Sequence, residues 1–141
     1  MIAYVDASVL LRLALGQPDS LADWSKIDRG VSSALVTVES LRTLDRLRSR
    51  VKLTDHDVAE RRAKILELIA SLEVVDIDSV VLARAAQPMP TELGTLDAIH
   101  LATALLWQEM TAESLTMATH DGLLALAAAA HGLPVIGVKR K

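Results

Sequence analysis

The stretch Ile2-Ala3-Tyr4-Val5-Asp6-Ala7-Ser8-Val9-Leu10 changes character at its midpoint. Residues 2–5 form a short apolar run that opens into an acid, which reads as a buried strand. Residues 7–15 then read as a helix that stops at Gly16. The alternation continues down the chain. Residues 18–27 form a second helix candidate, with Pro18 in the first turn and Gly30 beyond its end. Residues 31–35 read as a strand. Residues 39–53 read as a helix, with apolar positions at 41, 44 and 47 and arginines on the other face. Thr54 followed by Asp57 signals the N-cap of a long helix reaching about residue 72. Residues 73–77 form a β-branched strand and 79–87 a short helix, while the prolines and glycine of 88–94 mark a loop. A strongly apolar helix over 96–110, a strand over 115–118, an alanine-rich helix over 121–131 and a strand over 134–138 complete the series. Strands alternating with helices imply an α/β fold whose mostly parallel sheet is covered on both faces.

Composition sets the outer limits. The 141 residues fit one compact domain, 1–141, with no linker, repeat or low-complexity tract. A chain of this length buries about 70% of its unfolded surface. With no Phe, one Tyr and two Trp, the core must be aliphatic, and Trp24 and Trp107 read by default as core packing. The absence of Cys excludes a disulfide framework, a thiolate metal site and a cysteine nucleophile. It fits a reducing cytosol, and with it a cytoplasmic localisation. Asp6 and the missing basic n-region argue against a signal peptide, and no apolar run reaches membrane-spanning length. The net charge of −3 argues against a nucleic-acid coat protein, although an enzyme holding cations over carboxylates can be acidic and still meet phosphate. The basic end Lys139-Arg140-Lys141 reads as a solvated tail.

Four acids sit in unusual settings. Asp6 follows the first strand and Asp121 the fourth. Glu39 lies at the start of the third helix, and Asp97 opens an apolar helix. In an open parallel sheet, ligands bind beyond the carboxyl ends of the strands, where the winding reverses. Asp6 and Asp121 both reach that place if strands one and four are neighbours. Each acid also has a structural reading: Asp6 and Asp121 as N-caps, Glu39 as a first-turn acid facing the helix dipole. Asp97 resists one, because its apolar neighbours imply burial and a lone buried carboxylate is costly. Two carboxylates 4 Å apart repel by about 4 kcal/mol at an effective dielectric near 20. Four converging acids therefore protonate in part or take up a hard cation. An all-oxygen set without Cys or clustered His favours Mg²⁺ or Mn²⁺ over Zn²⁺.

These acids, in this order, give the chain a resemblance to the PIN-domain nucleases, among them the VapC toxins. Val5-Asp6-Ala7-Ser8-Val9-Leu10 resembles the family's first motif, with Asp6 as metal ligand and Ser8 in support. Thr37-Val38-Glu39-Ser40-Leu41-Arg42 resembles the second at Glu39. Leu96-Asp97-Ala98-Ile99-His100-Leu101-Ala102-Thr103-Ala104 is the most specific stretch and resembles the third, with Asp97 as ligand. Thr119-His120-Asp121-Gly122-Leu123-Leu124 resembles the fourth, with Asp121 as ligand and Thr119 as a supporting hydroxyl. The resemblance implies a PIN-like three-layer sandwich with strand order 3-2-1-4-5. It also implies Mg²⁺- or Mn²⁺-dependent cleavage of RNA, homodimers, and inhibition by a cognate VapB antitoxin.

Beside the acids, Arg42 and Arg46 share a helical face with Glu39 and are candidate RNA-backbone contacts, the alternative being a solvated face with Asp45 as partner. Arg12 is a weaker candidate of the same kind. His120 adjoins Asp121 and is a further RNA-contact candidate, whereas His100 reads as a satisfied core histidine within reach of a carboxylate, and His56 and His131 as surface residues. Two other functions remain on the sequence alone. A non-catalytic PIN-fold binding module would be signalled by a missing acid, and all four are present. A receiver-type or haloacid-dehalogenase-like phosphate-handling domain would want paired acids at strand one or a second Asp at position 8, where this chain has Ser.

Overall fold

In the computed structural model, which describes residues 1–139, five parallel strands stand in the order β3-β2-β1-β4-β5. The elements run β1 (Ile2–Val5), α1 (Ala7–Ala14), β2 (Arg29–Ser33), α2 (Leu35–Arg50), α3 (Asp55–Ala70), β3 (Glu73–Val75), α4 (Ser79–Ala85), α5 (Thr95–Thr111), β4 (Thr116–Ala118), α6 (Gly122–Ala130) and β5 (Val135–Ile136). This is the expected order. The adjacency on which the site depends holds, since Ala3, Tyr4 and Val5 pair with Thr116, Met117 and Ala118. The winding reverses between β1 and β4.

The central strand shows how the two faces are filled. Side chains alternate along a strand, so Ala3 and Val5 join one apolar cluster with Val9, Leu10 and Val36. Tyr4 joins the other with Leu101, Leu105, Met117 and Leu124. Helices α1, α2 and α3 cover the first face, and α5 and α6 the second. Trp107 is buried in the second cluster and its Nε1 donates to Glu73 at 3.2 Å, while Trp24 packs at the margin of the first. The core is aliphatic, as the composition requires.

Thr54 caps α3 through a reciprocal box with Asp57, as its sequence predicts. Three expectations need correction. Residues 18–27 do not form an α-helix. They make a turn closed by the Ser20 N–H on the Gln17 carbonyl, followed by a short 3₁₀ helix at Ala22–Lys26. Leu21, Trp24 and Ile27 repeat every three residues, the 3₁₀ period, and all three face the first cluster. The second helix begins at Leu35 rather than 39, because the Leu35 N–H bonds Ser33 Oγ at 3.1 Å directly after β2. Glu39 is therefore a full turn inside α2, beyond the reach of a first-turn dipole role. The strand expected over 73–77 stops at Val75. The expected basic tail falls partly on residues 140 and 141, which lie outside the described residues. No helix among the described residues is long and apolar enough to cross a membrane.

Candidate active site

Asp6 occupies the first position after the central strand, and its surroundings explain its geometry. Its carboxylate caps α1 by accepting the Val9 N–H at 3.3 Å. Ser8 Oγ donates to Oδ1 and Thr119 Oγ1 to Oδ2, each at 2.6 Å. Both hydroxyls bridge onward: Ser8 accepts the His120 N–H at 3.0 Å and Thr119 the Asp121 N–H at 3.0 Å. The start of α1 and the end of β4 are thus fastened through one carboxylate. Burial pushes the Asp6 carboxyl above its ordinary range, against the pull of those two hydroxyl donors.

Asp121 caps α6 in the same way, with Oδ1 accepting the N–H groups of Leu123 and Leu124 at 2.9 and 3.1 Å. The capping reading of Asp6 and Asp121 therefore holds. Each caps with Oδ1, and Asp121 Oδ2 has no protein donor among the described residues.

Asp97 lies in the first turn of α5, a position where the helix dipole favours its charge. The carboxyl is nevertheless raised to about 6. Partial burial is the largest cause, followed by repulsion from Asp121, Asp6 and Glu39. That ordering places all four acids in one electrostatic neighbourhood. The α5 entrance is more open than its apolar sequence suggests, because Leu96 is 47% exposed and Asp97 is only half-buried.

Glu39 reaches the same region from α2, where Oε1 is hydrogen-bonded to His100 Nε2. The His100 ring is fully buried, and its Nδ1 lies 2.6 Å from the Tyr4 hydroxyl. His100 is a satisfied core histidine, as its sequence context implies, and one satisfied by a site acid. Tyr4 was not visible as a site residue from sequence. The available signal was a single tyrosine in a buried strand, since a buried phenol must find a partner.

The remaining candidates stand apart. Arg42 is exposed and paired with Asp45 at 2.9 Å, and Arg46 is exposed with its guanidinium on Thr43 at 3.2 Å. Arg12 donates to the Asp19 carbonyl. The His120 ring is pinned by its Nδ1 on the Gly137 carbonyl at 2.6 Å, with Nε2 buried and unpartnered. Gly137 has φ +102°, and a Cβ there would sit 2.4 Å from the Thr119 carbonyl oxygen. Substituting Gly137 by Ala is expected to destabilise the fold by more than about 1 kcal/mol and to displace Thr119. A melting curve for Gly137→Ala that overlays the wild type would show that neither constraint matters.

The donor set suits a hard divalent cation. It is all oxygen, and Asp97, Asp121 Oδ2 and the second Glu39 oxygen make no hydrogen bond among the described residues. The repulsion on Asp97 is what a cation would relieve. Among the described residues, no three Asp, Glu or His side chains are drawn together tightly enough to enclose an ion. The acids bracket a site rather than close one.

Comparison with known proteins shows the family. The family model described as PIN domain matches residues 3–122. The chain is 36% identical over 137 residues to Ribonuclease VapC46 of Mycobacterium tuberculosis, a match covering 94% of this chain and 95% of that protein. Among solved structures, FitAB bound to a DNA fragment superposes with a TM-score of 0.70 at 21% identity, covering 96% of this chain and 94% of the other. VapBC2 from Rickettsia felis, bound to a promoter DNA fragment, superposes with a TM-score of 0.65 at 13% identity, covering 99% and 100% of the two chains. These structural likenesses bear on the fold alone.

Proposed function

Because the chain belongs to the PIN-domain family, we propose that it is a divalent-metal-dependent endoribonuclease, acting as one domain and as the toxin of a toxin–antitoxin pair. The observation that carries this reading is the Asp6 carboxylate held by Ser8 and Thr119 at the β1–β4 switch point, near Glu39 and Asp121, each with a carboxylate oxygen free of protein donors among the described residues. Asp6, Glu39, Asp97 and Asp121 would hold Mg²⁺ or Mn²⁺. A bound divalent ion supplies Lewis acidity toward water and the phosphate oxygens of the scissile bond. The chain's own groups do the rest. Ser8 and Thr119 fix the Asp6 carboxylate in one orientation. Asp121 holds its free oxygen steady by anchoring the other to α6. Arg42 and Arg46, one and two turns along α2 from Glu39, would receive the RNA backbone once Arg42 leaves Asp45, and His120 would flank it.

The ribonuclease name of the 36%-identical relative supports RNA as the substrate. A VapB-type antitoxin partner rests on the VapBC complexes among the structural neighbours. A homodimer and a cytoplasmic location belong to the same reading.

The test is cleavage of total RNA by purified protein with Mn²⁺ or Mg²⁺ and with EDTA, beside Asp97→Asn. Discrete fragments that require both metal and Asp97 are expected. Intact RNA under every metal condition, from folded protein free of antitoxin, would favour a non-catalytic binding module, the alternative that the open spacing of the acids supports.

A pH profile provides a second test. In the metal-free protein Asp97 is half-protonated at about 6. Below that point the proton competes with the cation, so metal affinity falls by about tenfold per pH unit. Cleavage at fixed subsaturating Mn²⁺ should therefore drop steeply between pH 7 and 5, with excess Mn²⁺ restoring it. A flat profile would mean that Asp97 does not hold the ion.

A further inference from the structure

We propose that Tyr4 is a positioning residue that acts through His100 to aim Glu39 at the metal centre. This rests on the metal-centre reading above. The three side chains come from β1, α5 and α2 and are joined in sequence by two hydrogen bonds. The Tyr4 hydroxyl lies 2.6 Å from His100 Nδ1, and His100 Nε2 is bonded to Glu39 Oε1. Tyr4 and His100 are 0% and 1% exposed. The Tyr4–His100 bond is closed to solvent, and the chain opens to it only at Glu39.

Hydrogen-bond accounting assigns the direction. A tyrosine hydroxyl, with an ordinary pKa of about 10, keeps its proton at neutral pH. Ser32 and Thr103, its hydroxyl neighbours, donate to the carbonyls of Val5 and Ile99 at 2.6 and 2.7 Å. The hydrogen bond Tyr4 makes is to His100 Nδ1. Glu39, as a carboxylate, only accepts, so His100 Nε2 carries the proton of that bond and Nδ1 faces the Tyr4 O–H as its acceptor. With the Tyr4 O–H donating to Nδ1, the ring is locked as the Nε2–H tautomer. That tautomer aims one N–H at Glu39, and every donor is used. A carboxylate on α2, otherwise free to rotate about three bonds, is thereby held by a donor on α5. Partners of this kind behind a ligand typically contribute about 10–100-fold to metal affinity.

The test has two readouts. Nitrogen-15 NMR of the metal-free protein should show His100, assigned through His100→Gln, as the Nε2–H tautomer, and Tyr4→Phe should shift it toward a mixture. Mn²⁺ binding, followed by the electron paramagnetic resonance of the free ion, should weaken by about tenfold in Tyr4→Phe. Glutamine at position 100 presents an N–H at the place of Nε2 and has no tautomer to lock. His100→Gln should therefore keep most of the affinity, and adding Tyr4→Phe to it should cost little. Equal losses from Tyr4→Phe in both backgrounds would mean that Tyr4 supports the core without acting through His100. An Nδ1–H tautomer or an imidazolium in the wild type would overturn the assignment, as would unchanged Mn²⁺ affinity in Tyr4→Phe. Should Tyr4→Phe fail to fold, the wild-type spectrum and a loss of Mn²⁺ affinity in His100→Leu still decide the point. No Mn²⁺ binding by the wild type would defeat the metal-centre reading itself, and the proposal with it.

Discussion

Asp97→Asn is expected to abolish RNA cleavage and to raise the melting temperature in metal-free buffer at pH 7.5. The sign follows from linkage. The folded Asp97 carboxyl, at about 6, lies above the ordinary 3.8. The folded state therefore binds more protons than the unfolded state between those values. Stability falls as pH rises through that window and stays reduced above it. A shift of that size corresponds to about 3 kcal/mol if fully felt. Asp97 is half-exposed, so about 1–2 kcal/mol is the reasonable scale after solvent screening. Asparagine keeps the shape and removes the charge, which should raise the melting temperature by roughly 3–8 °C. At pH 5 the gap should narrow, because wild-type Asp97 is then largely protonated. Adding Mn²⁺ should reverse the order, since the ion stabilises only the chain that binds it. Thermal melts at both pH values, with and without Mn²⁺, check each part. A lower melting point for Asp97→Asn at pH 7.5 would remove the repulsion argument, and retained cleavage would remove Asp97 from the site.

Asp121 separates chemistry from capping. Asp121→Asn and Asp121→Ala should both reduce cleavage by about a hundredfold or more, the rate equivalent of several kcal/mol of metal-borne charge stabilisation. Their stabilities should differ. Both relieve the repulsion on Asp97, so that contribution cancels between them. Asparagine can still accept the N–H groups of Leu123 and Leu124, whereas alanine leaves the first turn of α6 uncapped. The difference should be about 1 kcal/mol in favour of asparagine. Coincident melting curves would show the cap to be idle. Wild-type cleavage by Asp121→Asn would show that Asp121 is no ligand.

Much of the fold is legible in local patterns. The strand at residues 2–5, the capping box at Thr54 and the Pro-rich loop each carry their signal within a few residues. Strand order follows from the resemblance, and the pairing of Ala3 with Thr116 agrees with it. The failures share a cause. Over 18–27 the decisive period is three, and a proline near a helical start obscured it. Glu39 reads as the opening of a helix because Leu35 to Val38 carries no cap signal; the N-cap is Ala34, which has no capping side chain, and the one side-chain bond at the start comes from Ser33 in the strand before. Asp6, Asp97 and Asp121 are visible because each stands at a boundary between elements, and Glu39 because its stretch resembles a family motif. Tyr4, His100 and Glu39 are invisible as a set, since 96 and 61 positions separate the bonded pairs. No local periodicity reports a contact of that span.

The pairing of β1 with β4 also has a consequence in time. Asp6 is made well before Thr119, which holds its second oxygen and lies 113 positions later. Until β4 has left the ribosome and settled beside β1, Asp6 has neither its neighbour Asp121 nor its fixed orientation. Contacts this distant in sequence form late in folding. If the four acids form the proposed centre, a chain made only as far as α5 carries three of them and no assembled site, and RNA meets the finished site only once β4 is in place.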